Sequence, residues 1–355
     1  LYLIKKDKFD FFGVFISETD HVQHWFWEDM EYGENLFSPK ANNKYSKVIL
    51  NAYRSTDRMI GELLKEVDRD DTFVIIVSDH GGTRLRRYFH TNRFLHLIGM
   101  LNYKRDLRSS VRRILYDYRI TPKMYQFLMG QKRVFLLHYL LKPFALSVSD
   151  IDWHATIAYS FGYGQIYLNM KGRQPLGAIS REKSQEIRRF IIKKLTEVSD
   201  PMGSKSPIQA SYSKEEIFEG SHFDEAPDIQ LVMKDGYEAF PWASIADVLF
   251  TENTDRTGTH NTRGVVMISG KEVVNRQLEG ASVFDIAPTI LGIMGIPVPA
   301  DMDGLALNQA FSEQFLSSNP LRYSEVSEKE PHEQYELSKE EQKKIEENLR
   351  SLGYI

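Results

Sequence analysis

Five residues of the chain are of types that hold divalent metal ions: Asp20, His24, Asp79, His80 and His260. Asp20 and His24 stand four apart in "ISETDHVQHWFW". A helix there would place both on one face and turn His21 about 100° away. Asp79 and His80 lie in "VSDHGG", where the glycines permit a sharp turn and a close approach of the backbone to a ligand. His260 sits among small residues in "TGTHNTRG". A carboxylate combined with imidazoles suits Zn²⁺ or Mn²⁺. Each piece alone has an ordinary explanation: a chance i,i+4 pair, an Asp-capped turn, a polar histidine. Together, each at the edge of an apolar run, they are harder to treat as coincidence.

Other chemistry-bearing residues carry less. His21, His90, His96, His138, His154, His222 and His332 read as surface or satisfied polar positions. Trp25, Phe26 and Trp27 read as packing rather than as a platform for a nucleobase. No cysteine occurs, which excludes disulfides, thiolate metal sites and cysteine nucleophiles.

The elements that must position the five residues follow from three apolar runs: "FFGVFIS" (11–17), "TFVIIVS" (72–78) and "GVVMIS" (264–269). Continuous apolar runs of this length suit strands buried on both faces. Between the first two, Val48, Ile49, Ala52, Tyr53, Met59, Ile60 and Leu63 recur with a helical rhythm. Strand, helix, strand is a βαβ unit, so a mostly parallel sheet flanked by helices is expected. Ligands of such sheets gather at the carboxyl ends of the strands, where Asp20, Asp79 and His80 fall.

This predicts an α/β core over 1–90, with a return to it over 241–312. A small second α/β patch is expected over 156–240, built on "GQIYLNM", "PDIQLVM" and a helix after Ser180. Residues 91–155 are expected to form a basic helical insertion, since 101–144 carries ten Lys and Arg against two Asp. It reads as a solvated helical hairpin, or as a cap that attracts an anionic substrate or a membrane surface. Residues 313–355 should form a charged tail closing in a helix.

The formal net charge of −4 argues against a general binder of nucleic-acid polymers. At 42% hydrophobic residues, the chain can build a real core. No apolar stretch is long enough for a membrane span. No targeting segment is legible, but the chain opens on Leu1 in text that reads as mid-domain, so the compartment is not readable from the sequence, with the cytoplasm favoured.

The order Asp-x-x-x-His, then Asp-His-Gly after a strand, then Gly-Thr-His before a strand resembles the alkaline phosphatase superfamily. Within it, the chain is most similar to the type I phosphodiesterase/nucleotide pyrophosphatase branch and relatives described as predicted phosphohydrolases or phosphomutases. The supporting stretches are "TDHVQHWFW", "VSDHGG", "DWHATIAYSFGYGQIYLNMKGRQPLG", "EAPDI", "GTHNTRGVVMISG", "IAPTILGIMGIPVPADMDG" and "LRSLGYI". The resemblance implies an alkaline phosphatase-like fold and two divalent metal ions, zinc or manganese. Asp20, His24 and His260 would hold one ion, and Asp79 and His80 would help hold the other. It implies a small-molecule or lipid-linked phosphate ester as substrate, and a Thr or Ser nucleophile. No counterpart of that nucleophile's segment precedes Asp20, so the nucleophile is expected upstream of Leu1. The 355 residues alone are then expected to bind one ion and to turn nothing over. Thr19, Ser17 and Thr83 are the hydroxyls to reconsider otherwise. Relatives often carry Arg where His21 stands. The competing expectations are a metal-dependent phosphomutase, a sulfatase with a different ligand pattern, and a non-catalytic binding scaffold.

Overall fold

The computed structural model describes residues 2–34, 43–68, 70–106, 109, 148–203, 205–240, 248–252 and 256–325. It divides into two compact units: Leu1–Gly13 with Glu62–Asp79 and Gly264–Ile355, and Val14–Gly61 with His80–Arg263. Along the chain run helices α1 (Tyr2–Lys6), α2 (Glu18–Glu34) and α3 (Val48–Leu64), then strands β1 (Val74–Val77), β2 (Gly81–Arg84) and β3 (Arg87–His90). Helix α4 (Thr91–Leu97) precedes β4 (Ala158–Ser160), β5 (Gln165–Leu168), β6 (Ile208–Ser213), β7 (Ile229–Met233), β8 (Tyr237–Phe240), β9 (Phe250–Glu252), β10 (Gly258–Asn261) and β11 (Val266–Ser269).

In the first unit, β1 pairs antiparallel with β11, Val74 opposite Ser269 and Val77 opposite Val266. Phe73, Phe311 and Phe315 form an aromatic knot beside this pair, with ring centroids 5.3–5.7 Å apart. The helix Ile286–Ile293 follows a capping box of Ser282 and Asp285 and ends before Gly295, which takes a positive φ.

In the second unit, the expected small α/β patch is present. An antiparallel sheet ordered β4-β5-β7-β6 carries the helix Arg181–Thr196, whose Ser184, Arg188, Ile191 and Leu195 are buried at helical spacing. Phe89, Leu95, Leu101, Ile166, Leu168, Ile191 and Ile229 anchor the core between them. A second sheet, β8-β3-β9, continues that core through Phe89 and Phe250.

Three sequence expectations are corrected. Residues 11–17 form neither helix nor strand, and Phe11, Val14 and Phe15 are exposed. Their composition favours a strand, but a strand exists only through a neighbour's hydrogen-bond ladder, and no described strand pairs with them. The sheets are also not mostly parallel: among the described strands only β3–β8 and the short pair Val298–Pro299 with Tyr323–Ser324 run parallel. Short turns are the physical reason. Gly162 and Gly164, both at positive φ, fold "SFGYGQ" into a hairpin between β4 and β5, which forces antiparallel pairing. Finally, β1 and β11 are not buried on both faces: Val77 and Met267 are exposed.

Of the predicted rhythm of helix α3, Val48, Ile49, Ala52, Ile60 and Leu63 are buried or half-buried, whereas Tyr53 and Met59 are exposed. Most of the predicted basic insertion, residues 107–147, lies outside the described residues apart from Ser109, as do residues 326–355 of the predicted charged tail. No helix among the described residues is long and apolar enough to cross a membrane.

His90, read from the sequence as a satisfied polar position, is buried where β3 passes into α4. Its Nε2 lies 2.8 Å from Thr251 Oγ1 and its ring meets Phe240 edge-on. Burial lowers its pKa from the ordinary 6.5 to about 4. A folded pKa below the unfolded one means that protonation favours the unfolded chain. The stability is therefore whole above pH 6.5 and drains as pH falls toward 4, by up to about 3 kcal/mol. Urea unfolding of the protein and of His90→Gln between pH 4.5 and 7.5 checks this. The variant should show a flatter profile over that window; equal slopes would remove His90 from the explanation.

Candidate functional site

Helix α2 and a two-stranded ribbon build the site. Asp20 in the first turn suits the positive end of the helix, and the i,i+4 spacing brings His24 beneath it. Glu18, His21 and Trp25 form the exposed stripe, while Gln23, His24 and Trp27 turn inward. The ribbon pairs β10 with β2, His260 opposite Gly82 and Gly258 opposite Arg84. Alternation along β10 sets His260 and Gly258 on one face. That face is cleared by glycine on both strands. A Cβ on Gly258 would collide with the Gln23 carbonyl oxygen, and one on Gly82 with the Gln23 side chain and, at 2.7 Å, with Trp27. Gly82 of "DHGG" and Gly258 of "GTH" thus serve the docking of α2, and the docked helix brings His24 to His260.

Asp20, His24 and His260 converge so that one ligand atom from each lies within 4.8 Å of the others. Asp20 Oδ1 is 3.2 Å from His24 Nε2 and 3.5 Å from His260 Nε2. The two imidazole nitrogens are 3.0 Å apart. His80 stacks on His260 with centroids 3.8 Å apart, and its Nε2 is 3.9 Å from Asp20 Oδ1. Burial, reinforced by the His80 and His24 rings, holds His260 below the usual imidazole range. A carboxylate and two imidazole ring nitrogens facing one point are a donor set that suits a cation such as zinc. The His24 Nδ1 lies 3.0 Å from the Gly258 carbonyl oxygen. In the tautomer protonated on Nδ1 the ring donates to that carbonyl and leaves Nε2 free to bind.

Four of the five residues singled out by sequence therefore meet in one place within the second unit. Asp79, the fifth, is the last residue of the first unit's middle segment. Trp27 packs as expected, its Nε1 donating to Glu31 at 3.1 Å, while Trp25 is exposed.

Sequence reasoning missed Arg256 and Glu238. Arg256 Nη2 lies 2.8 Å from His24 Nδ1, and its Nη1 is 3.6 Å from Glu238 Oε1. Two-residue periodicity, applied backward from His260 through Gly258, would have put Arg256 on the same face.

No curated protein matches the chain. The pattern of the type I phosphodiesterase / nucleotide pyrophosphatase family matches residues 2–260, ending on His260 itself. That match covers well over half of the 355 residues and contains every candidate ligand. The chain belongs to the type I phosphodiesterase/nucleotide pyrophosphatase family of the alkaline phosphatase superfamily.

Proposed function

We propose that the protein is a metal-dependent phosphoric ester hydrolase, acting on small-molecule phosphate esters. The observation that carries this is the convergence of Asp20, His24 and His260 in a chain of this family. These three would hold one divalent cation, zinc for preference on the nitrogen-rich donor set. Asp79 and His80 remain the pair proposed for a second cation, on the strength of their motif and the family resemblance. Bound cations would neutralise the phosphoryl oxygens and lower the pKa of a coordinated hydroxyl or water.

The chain's own residues supply positioning. With a cation held, His24 would donate from Nδ1 to Gly258 and offer Nε2. Asp20 contributes negative charge from the first turn of α2. His80 braces the His260 ring by stacking. Holding the phosphoryl group in line with its attacking oxygen supplies most of the rate in such sites.

The test is a panel of phosphomonoesters, phosphodiesters and nucleotide pyrophosphates, run on the full-length protein stripped with chelator and reloaded with Zn²⁺ or Mn²⁺. Turnover should vanish with chelation and return with metal. Absence of metal-dependent turnover on every ester would overturn the proposal.

A further inference from the structure

Among the described residues, one backbone hydrogen bond ties helix α2 to the chain entering β10, and it falls on His24. In a regular α-helix the N–H of Glu28 donates to the carbonyl oxygen of His24, four positions earlier. Thr257, the residue before β10, meets both of these groups. Its backbone N–H donates to the His24 carbonyl oxygen at 2.7 Å, and its hydroxyl accepts from the Glu28 N–H at 3.2 Å. A residue from outside the helix therefore brackets a single rung of the helical ladder. Insertion into that ladder is a known way of setting the direction of a helix axis. The next residue, Gly258, places its carbonyl oxygen 3.0 Å from His24 Nδ1. Thr257 and Gly258 thus meet the main chain and the side chain of the same histidine.

Arg84 on β2 also reaches the helix, at Glu28 over 3.3 Å and at Glu31. Those side chains are long and half-exposed, so they can follow a helix that moves. Thr257 cannot. Its N–H belongs to the backbone, and its β-branched side chain is stiff at χ1. Two contacts from so rigid a group fit only one pair of helical positions. A slip by one residue moves a helix about 1.5 Å along its axis and turns it about 100°. That would carry Asp20 and His24 away from His260, whose Nε2 now lies 3.0 Å from His24 Nε2.

Resting on the metal-dependent reading above, we propose that Thr257 is the positioning residue for His24. Its N–H and hydroxyl fix the height and rotation of α2, so that Asp20 and His24 face His260 before a cation arrives. A ligand already held in place does not have to be ordered on binding, and affinity is higher for it.

Zn²⁺ titration of the wild-type chain, Thr257→Val, Thr257→Ala and Thr257→Ser tests this, with thermal unfolding to verify that each folds. Thr257→Val keeps the shape and removes the hydroxyl, Thr257→Ala removes the hydroxyl without adding bulk, and Thr257→Ser keeps it. Zn²⁺ affinity should fall roughly three- to tenfold in the two hydroxyl-free variants and return to within about twofold of wild type in Thr257→Ser. Visible spectra of the Co²⁺-loaded proteins give a readout that lost stability alone would not move, because the bands report the geometry around the ion. They should shift in Thr257→Val and Thr257→Ala and match wild type in Thr257→Ser. Folded hydroxyl-free variants with wild-type affinity and spectrum would overturn the role of Thr257 and leave the metal reading standing. So would a loss in Thr257→Ser as large as that in Thr257→Val. A wild type that binds no Zn²⁺ would overturn the metal reading, and this proposal with it.

Discussion

Replacing His24 by alanine should cost the cluster roughly a hundredfold or more in Zn²⁺ affinity, and replacing His260 should cost about the same. Four-ligand zinc sites are worth about 10–16 kcal/mol, so one ligand's share is near 3 kcal/mol. The double variant is the informative one. The two imidazole nitrogens stand 3.0 Å apart and share Asp20 Oδ1 as a neighbour. If they hold one ion, either loss already dismantles the site, and the pair together should lose much less than the sum. Metal content per chain and Zn²⁺ titration of the singles and the double check this. Losses that add in free energy would show that the histidines serve different ions.

The second large effect touches no ligand. Gly258→Ala should destabilise the protein by about 3 kcal/mol, at the upper end of what overpacking costs. The added methyl would meet the backbone carbonyl of Gln23, which cannot step aside as a side-chain tip would. Helix α2 must retreat from the ribbon, and Asp20 and His24 retreat with it. Zn²⁺ affinity should therefore fall along with the urea midpoint. Gly61→Ala is the control: it lies in α3 with nothing within 4 Å of the new Cβ. There alanine should be neutral or stabilise by up to about 1 kcal/mol. A Gly258→Ala protein as stable as wild type would show that close approach is not what seats the helix.

The local elements were legible where their signal is local. The i,i+4 spacing of Asp20 and His24, the rhythm of α3 and the apolar cores of β1 and β11 all appear where expected. The failure at 11–17 came from trusting composition, since Phe11, Val14 and Phe15 have strand propensity but no described partner. The parallel sheet failed because strand direction is set by connections, and the turn glycines of "FGYG" were the available warning. In the site, the residues that meet were readable because few residue types bind metals. Arg256 was not, because an arginine in a loop has many ordinary explanations and only its distance to His24 singles it out. Gly82, noticed for a turn and a close approach, also clears room for helix α2, which no local pattern announced.

The contact between His24 and His260 joins residues 236 positions apart. Closing so long a span is costly, but the cost depends only on the logarithm of its length. Each doubling adds about 0.6 kcal/mol. The stretch between helix α2 and β10 could therefore grow or shrink by dozens of residues with little effect on how readily its ends meet. The cluster of Asp20, His24 and His260 sits at the clasp of a loop whose length, outside β2 and His80, is loosely constrained. Such a layout lets new loops and caps be fitted around one fixed piece of chemistry, so the range of molecules admitted can change while the clasp stays shut.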